Sequence, residues 1–243
     1  MVPTQRPGSH QQLLNTLGQR ICDGDLATGT VVSIDELTTE HGVSRSVVRE
    51  VLRVLGALGM VESTRGVGTR TLPPSAWNVF DPQLIAWRLA SRNRLDQLRS
   101  LAEIRNALEP EAASLAASRG DAAVVGRLMS VAARMWTAAE TEDPETFLDL
   151  DVEFHALLLH ASGNEMFAHF APALEEILRG RVRTGLTPAH PDPTAVADHL
   201  ALASAIQRRE PDRSWHLARR IATAALEESR HLDADGAHRA DKA

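Results

Sequence analysis

One stretch decides the fold of the N-terminal part of the chain: Ser44-Arg45-Ser46-Val47-Val48-Arg49-Glu50-Val51-Leu52-Arg53-Val54-Leu55. Ser44 is a typical helix N-cap, and the valines and leucines recur with the period of an α-helix that is buried on one side. Arg45, Arg49 and Arg53 follow one another at spacing i, i+4, i+8 and therefore share another face of the helix. The stretch predicts an amphipathic helix that presents three cations to solvent.

Helical patterns before this stretch and a strand pattern after it complete a small module. Apolar spacing predicts one helix over 10–22, and Ser33 can cap a short second helix that ends at His41-Gly42. Two short helices around a glycine turn make a helix-turn-helix. Two β-runs about Arg65-Gly66-Val67-Gly68 then predict a hairpin, since glycine permits positive φ. The order of these elements predicts a winged helix-turn-helix over 1–72.

This module has the chemistry to bind double-stranded operator DNA. A recognition helix places N-terminal side chains on base edges, and arginine can donate two hydrogen bonds to guanine. Arg45 and Arg49 are therefore the predicted base readers, and Arg65 at the wing tip is expected to enter the minor groove. Phosphate contact or capping is the expected role of Ser44, Ser46 and Thr64. Arg53 and Gly66 complete the predicted interface. The alternative, a merely solvated surface helix, is disfavoured by the order of the elements.

The overall composition limits the class and the location of the protein. With 243 residues the chain has room for two domains. The net charge of −6 is unusual for a DNA-binding protein, but anions and cations balance within 1–72, so the excess acid belongs to the rest. Cys22 is the single cysteine, and no apolar run reaches about 18 residues. We expect a cytoplasmic protein that is neither exported nor inserted in a membrane.

A second, all-helical domain is predicted after a short linker. Paired prolines at Pro73-Pro74 interrupt regular structure, and the linker is assigned to 73–82. The second domain is assigned to 83–232, with a polar tail over 233–243. Seven helices are predicted, over 82–92, 95–118, 121–139, 144–162, 165–184, 194–209 and 211–232. The fold class is mainly α: a winged helix-turn-helix with a small β-wing, followed by an all-α antiparallel bundle.

Polar residues on these helices point to a binding site. Asp151 and His155 lie one helical turn apart beside an apolar stripe, and His199 shares a face with apolar residues on a later helix. A carboxylate and two imidazoles inside a bundle could hold a divalent metal, because buried ionisable groups need a partner or an ion. A simple hydrogen-bonded pair is the alternative. Arg105 and Glu109 also repeat at i, i+4.

Both parts of the chain resemble a known family. The recognition-helix stretch 43–55, with 59–61 and 65–69, resembles the GntR superfamily of bacterial repressors, in which the positions of Arg45, Arg49 and the wing tip touch operator DNA. That family commonly has a DNA-contacting arginine before the recognition helix, and this chain has none there. Four further motifs resemble the FCD effector domain of the FadR subfamily. These motifs lie at 103–109, 151–155, 161–164 and 198–206.

The resemblance implies ligands for a metal and an effector. In the FCD domain Asp151, His155 and His199 match metal ligands, which implies Zn, Ni or Mn, whereas Ile221 takes the place of a fourth histidine and cannot ligate. The alternative is that the same residues bind the effector directly. The position of Arg105 commonly faces the ligand, which implies a small carboxylate. Glu109 and Asn164 are included in the expected effector site.

The linker narrows the expected effector and function. The run Trp77-Asn78-Val79-Phe80-Asp81-Pro82 resembles the linker of family members that control sugar-acid catabolism, such as galactonate repressors. We therefore expect a homodimeric transcriptional regulator, a repressor, that a sugar acid such as galactonate or gluconate releases from DNA. Two alternatives remain open at this stage. One is a metal-dependent enzyme with an attached DNA-binding module, and the other is a constitutive DNA binder whose bundle only dimerises.

Overall fold

The computed structural model describes residues 8–64, 68–183 and 193–240. The chain divides into two compact units, 1–93 and 94–243. Within the described residues the fold is mainly helical, with a single small sheet in the first unit. This confirms the predicted fold class.

The first unit contains the predicted helix-turn-helix. Its elements are α1 (Ser9–Cys22), β1 (Val31–Val32), α2 (Ile34–His41), α3 (Arg45–Ala57), β2 (Val61–Thr64), β3 (Gly68–Thr71), a 3-10 turn (Pro74–Ala76) and α4 (Pro82–Ala90). The turn between α2 and α3 depends on Gly42, whose φ of 62° lies in the left-handed region that glycine adopts without strain. Ser44 begins α3 as its N-cap, and its side chain accepts a hydrogen bond from the backbone N–H of Val47.

The core of this unit forms where three helices bury their apolar stripes. The core consists of buried apolar side chains from α1, α3 and α4. They are Leu13, Leu14, Leu17 and Ile21 of α1, Val48, Val51, Leu52 and Leu55 of α3, and Leu84 and Trp87 of α4. The cationic face of α3 is left in solvent, as its apolar spacing predicts. The lone Cys22 is buried at the edge of this core, where desolvation raises the pKa of its thiol to about 12.

The wing is an antiparallel sheet with the strand order β1-β3-β2. Val61 pairs with Thr71 and Thr64 with Gly68, and residues 65–67 lie outside the described residues. The predicted tip residues Arg65 and Gly66 therefore have no structural account. β1 was not predicted, because a pair of residues is too short to show a period. It pairs with β3, with Val31 opposite Arg70.

The linker and α4 belong to the first unit. Trp77 donates a hydrogen bond from Nε1 to the carbonyl of Leu72 and packs on the core, whereas Phe80 remains 55% exposed. Asp81 caps α4 by accepting hydrogen bonds from the backbone N–H groups of Gln83 and Leu84. The compact units thus separate after residue 93, whereas the sequence predicts a second domain that begins at 83.

The second unit consists of six helices among its described residues. They are α5 (Arg94–Arg119), α6 (Ala122–Glu140), α7 (Pro144–Ala161), α8 (Glu165–Arg183), α9 (Pro193–Gln207) and α10 (Pro211–Ala240). Together with α4 they correspond one to one with the seven predicted helices. The last helix differs most, since it continues to Ala240 through the segment predicted as a polar tail.

Packing in this unit brings α5, α7 and α9 together. α10 lies along α5 and α9, α6 packs on α7 and α9, and α7 packs on α5 and α8. Asp121 and Asp143 cap α6 and α7 by accepting hydrogen bonds from first-turn N–H groups. Of the helices the structure describes, none is long and apolar enough to cross a membrane.

Candidate functional site

The first turn of α3 carries the predicted DNA-contacting residues. Ser44, Arg45 and Ser46 are exposed, and the Oγ atoms of the two serines are 2.7 Å apart. Arg45 forms an ion pair through Nη2 with Oδ1 of Asp35, the second residue of α2. The sequence did not reveal this pair, because its partners are ten residues apart on different helices.

The other two arginines of α3 differ in how they are held. Arg53 is paired with Glu50 on the same helix, with Nη2 at 2.6 Å from Oε1 and Nε at 3.0 Å from Oε2. Arg49 is exposed and makes no hydrogen bond or ion pair with the described residues. Arg49 can therefore reach a new partner at lower cost than Arg53.

A groove separates α3 from the wing. It is lined by Ile34, Arg49, Leu52, Arg53, Gly56, Val61, Glu62, Ser63 and Thr69. Thr64, the last residue of β2, is exposed at the end of the hairpin. The structure thus brings Ser44, Arg45, Ser46, Arg49 and Arg53 onto one helix and places Thr64 on the adjoining wing.

A second cluster lies inside the helical unit. α5 contributes Arg105 and Glu109, α7 contributes Asp151 and His155, and α9 contributes His199. All are buried except Asp151, whose side chain is 18% exposed. Five of the sequence-predicted site residues therefore converge, although they come from three separate helices.

Three donor atoms in this cluster form a small triangle. Oδ1 of Asp151 is 3.5 Å from Nε2 of His155 and 3.3 Å from Nε2 of His199, and the two nitrogens are 3.3 Å apart. Nitrogen and oxygen ligands lie about 2.0–2.2 Å from a tetrahedral ion such as Zn²⁺, which separates them by about 3.3–3.5 Å. The donor types and spacing in this structure fit a divalent metal.

The outer nitrogens of both histidines also have acceptors beside them. Nδ1 of His199 is 2.6 Å from the carbonyl oxygen of Ala195, and Nδ1 of His155 is 3.1 Å from Oε2 of Glu109. The second contact is an ion pair rather than a hydrogen bond. Carbonyls and carboxylates behind the imidazoles are the usual support of histidine ligands.

Arg105 sits beside this triangle and is held by Glu109. Its Nε donates to Oε1 of Glu109 at 2.7 Å, and its Nη2 is 3.4 Å from Oε2. The same Nη2 is 3.3 Å from Nε2 of His155. The guanidinium is thus both charge-compensated and next to the donor triangle.

Mutual charge interactions shift the pKa values of this cluster. Burial alone would raise the pKa of Glu109, but the charges of Arg105 and His155 outweigh it and lower the pKa to about 2. Burial opposes the charge of Asp151 too, but His155 and His199 hold its pKa well below the usual range. Desolvation would lower the pKa of His155, yet Glu109 and Asp151 raise it to about 9. Both carboxylates are therefore ionised at neutral pH.

Four other positions of the helical unit bear on this site. Oδ1 of Asn164 accepts a hydrogen bond from the backbone N–H of Met166, which makes this side chain a cap of α8. Ile221 is buried and offers no donor atom, and His216 on α10 is exposed beside Trp215. Asp198, in the predicted Asp198-His199 motif, is paired with Arg220 of α10. These positions do not extend the donor triangle.

A winged helix-turn-helix unit followed by a helical unit with a buried polar centre is the architecture of a transcriptional regulator. Residues 10–71 match the family of bacterial regulatory proteins called the gntR family, and residues 100–224 match the FCD domain. The chain belongs to the GntR family of bacterial regulatory proteins and carries an FCD domain. This confirms the family that its sequence motifs indicated.

Similar proteins agree with this assignment. The Escherichia coli K12 protein named Uncharacterized HTH-type transcriptional regulator YieP is 31% identical over 205 residues, which cover 84% of this chain and 87% of that protein. The Galactonate operon transcriptional repressor of the same strain is 28% identical, over 83% and 88% of the two chains. The relatives and matched families are regulators, which confirms the regulator prediction over the enzyme alternative.

A solved structure shares the fold. The structure titled "Lar controls the expression of the Listeria monocytogenes agr system and mediates virulence" covers 94% of this chain and 100% of its own, with a TM-score of 0.61. Its sequence identity of 16% limits the comparison to the fold. The winged helix and the helical unit thus occur together in that protein.

Proposed function

We propose that this regulator is a homodimer that binds a two-part operator and is released when a small carboxylate, such as a sugar acid, binds the helical unit. The observation that carries the proposal is the convergence of Arg105 with the Asp151, His155 and His199 donor triangle. A guanidinium and three metal-ligating groups around one point suit an oxygen-rich anion.

Base reading is assigned to Arg45 and Arg49. Both are exposed on the first half of α3, the part of a recognition helix that approaches base edges. Arg53 is tied to Glu50 and lies one turn further along the helix, so a backbone contact suits it better. In a dimer, two copies of α3 would meet half-sites one turn of DNA apart, about 34–36 Å.

A divalent metal ion is assigned to Asp151, His155 and His199. When bound, the ion would supply Lewis-acid attraction for a carboxylate or hydroxyl oxygen. With Ile221 in place of a fourth ligand, the described residues offer three donors, which leaves coordination for water or effector.

The charge of the cluster favours an acid once metal is present. As ligands both histidines would be neutral. The two carboxylates of Glu109 and Asp151 and the guanidinium of Arg105 would then leave one net negative charge. A divalent ion would convert this into one net positive charge. Arg105 can then hold the carboxylate while the remaining oxygens approach the ion.

Direct binding of the acid without metal is the second candidate. The observation that favours it is the position of Arg105 Nη2, only 3.3 Å from Nε2 of His155, one of the donor nitrogens. In that case the histidines would donate hydrogen bonds to the acid. The two candidates differ in whether metal is needed for the acid to bind.

A thermal-shift experiment separates them. Chelator-treated protein is heated with Zn²⁺, Mn²⁺ or Ni²⁺, with galactonate or gluconate, and with each pair, because a ligand that binds the native state raises its stability. We expect the metal to raise the Tm of the wild type and of His216→Ala, but not of His199→Ala, and an acid to add a further shift. Metal-independent stabilisation by an acid would select the direct mode. If neither acid shifts the Tm under any condition, the sugar-acid assignment is wrong.

A further inference from the structure

An acidic residue, Asp35, lies at the surface proposed to bind DNA. Asp35 lies in the first turn of α2, yet its side chain reaches Arg45 at the start of α3. Both side chains are well exposed, 69% for Asp35 and 63% for Arg45. The ion pair thus joins the two helices of the helix-turn-helix on the outside of the unit.

Stability does not account for a carboxylate at this place. An exposed ion pair contributes little to stability, and salt weakens it further. An acid near the DNA backbone also lowers affinity, which rests on cations that displace counterions from phosphates. The positive end of the α2 dipole would be served equally by Glu36, which occupies the same turn.

The pair does affect what Arg45 can do. A free arginine side chain populates many rotamers, and fixing it in one of them costs conformational entropy. Asp35 restricts the guanidinium while leaving most of its five donors for another partner. A carboxylate beside the guanidinium also repels phosphate oxygens. It does not repel a guanine edge, which carries no charge, so the ion pair favours contact with guanine over contact with phosphate.

We propose that Asp35 is a positioning residue that holds Arg45 for contact with guanine and so raises the preference for operator over other DNA. The inference rests on the proposed role of Arg45 as a base reader. It assigns to a negative charge a function in specificity rather than in affinity. Removal of the charge should therefore increase binding to arbitrary DNA and decrease discrimination.

The test measures the affinity of the protein for three kinds of duplex. The operator is first recovered by selection from a random duplex pool with the full-length wild type. Fluorescence anisotropy then gives Kd for this operator duplex, for a set of operator duplexes that each have one guanine replaced, and for a scrambled duplex of equal length. The proteins are wild type, Asp35→Asn, Arg45→Ala, the double variant Asp35→Asn with Arg45→Ala, and Glu36→Gln as a matched loss of one charge.

We expect Glu36→Gln to strengthen binding to all duplexes by a similar factor. Asp35→Asn should strengthen binding to scrambled DNA at least as much. At one guanine it should also reduce the ratio of Kd for the replaced duplex to Kd for the operator by about three- to tenfold. In the Arg45→Ala background Asp35→Asn should change that discrimination no further, because Asp35 acts through Arg45.

Three results would count against the account, each in a different way. Equal discrimination in Asp35→Asn and Glu36→Gln would show that Asp35 is only a surface charge. Loss of discrimination that persists in the Arg45→Ala background would show that Asp35 acts by another route. If Arg45→Ala itself leaves base preference unchanged, the proposed reader is wrong, whatever Asp35 does.

Discussion

Glu109 carries a negative charge in the interior of the helical unit, where its side chain is only 2% exposed. Its neighbours are the guanidinium of Arg105 and the imidazole of His155. A buried charge is tolerated only with such partners, because its transfer from water is costly. The charges of these three side chains compensate one another, so removal of one of them should leave another charge uncompensated.

We expect Glu109→Gln to lower the free energy of unfolding of the helical unit by about 3–5 kcal/mol, since Arg105 would keep its charge without its main partner. Urea unfolding followed by circular dichroism measures the change. The control is Glu111→Gln, an exposed acid on the same helix, which should be near neutral. Equal stability of the two variants would show that the Arg105 charge is compensated elsewhere.

At the residue scale the sequence predicted the two i, i+4 pairs and a possible metal site of Asp151, His155 and His199, whereas the place of Arg105 beside the ligand came from the family resemblance. Spacing of i, i+4 was enough to pair Asp151 with His155 and Arg105 with Glu109, because a helix turn has fixed geometry. His199 lies on another helix, and the face that it shares with apolar residues was the signal that added it to the predicted site. The Asp35 contact with Arg45 depends on how two helices cross, which no local pattern records. Asn164 was placed with the effector, although its side-chain oxygen caps α8.

Helices and their ends were the most predictable elements. Breaks at Gly120, Asp143-Pro144 and Glu210-Pro211 correspond to the observed helix ends, because capping and proline act within a few residues. The end of α10 was predicted from polarity, yet polar residues alone do not stop a helix, and it continues to Ala240. The placement of α4 in the first unit depends on tertiary packing and could not be predicted from its sequence.

The contact between α1 and α4 gives a sharp prediction. A Cβ added at Gly18 would lie 2.5 Å from ring atoms of Trp87, so the two helices meet where α1 has no side chain. We expect Gly18→Ala to lower the free energy of unfolding by about 1–3 kcal/mol, since overpacking displaces a buried ring.

A second glycine provides the control. At Gly56 in α3 the nearest atom to an added Cβ is the Val61 oxygen at 3.7 Å, an ordinary contact. Gly56→Ala should therefore raise the free energy of unfolding by up to about 1 kcal/mol, because alanine has the higher helix propensity. Thermal unfolding of both variants compares the two effects. If Gly18→Ala is as stable as Gly56→Ala, the ring of Trp87 does not pack closely on α1 at Gly18.

On the scale of the whole molecule, each unit carries a different half of the proposed function. The first unit presents cations to DNA, whereas the second encloses a polar centre suited to an acid and a metal. Regulation requires that the acid bind two states of the protein with different affinity. By thermodynamic linkage, the acid and the operator must then alter each other's affinity by the same factor.

The most direct test is the operator affinity of the full-length protein, measured by fluorescence anisotropy with and without the acid that raises its Tm. The account predicts that the acid weakens operator binding by about 5–150-fold in the wild type, and much less in Arg105→Lys, which cannot form the same pair of hydrogen bonds. An acid that stabilises the wild type but leaves its operator affinity unchanged would contradict the account, because the helical unit would then not control DNA binding.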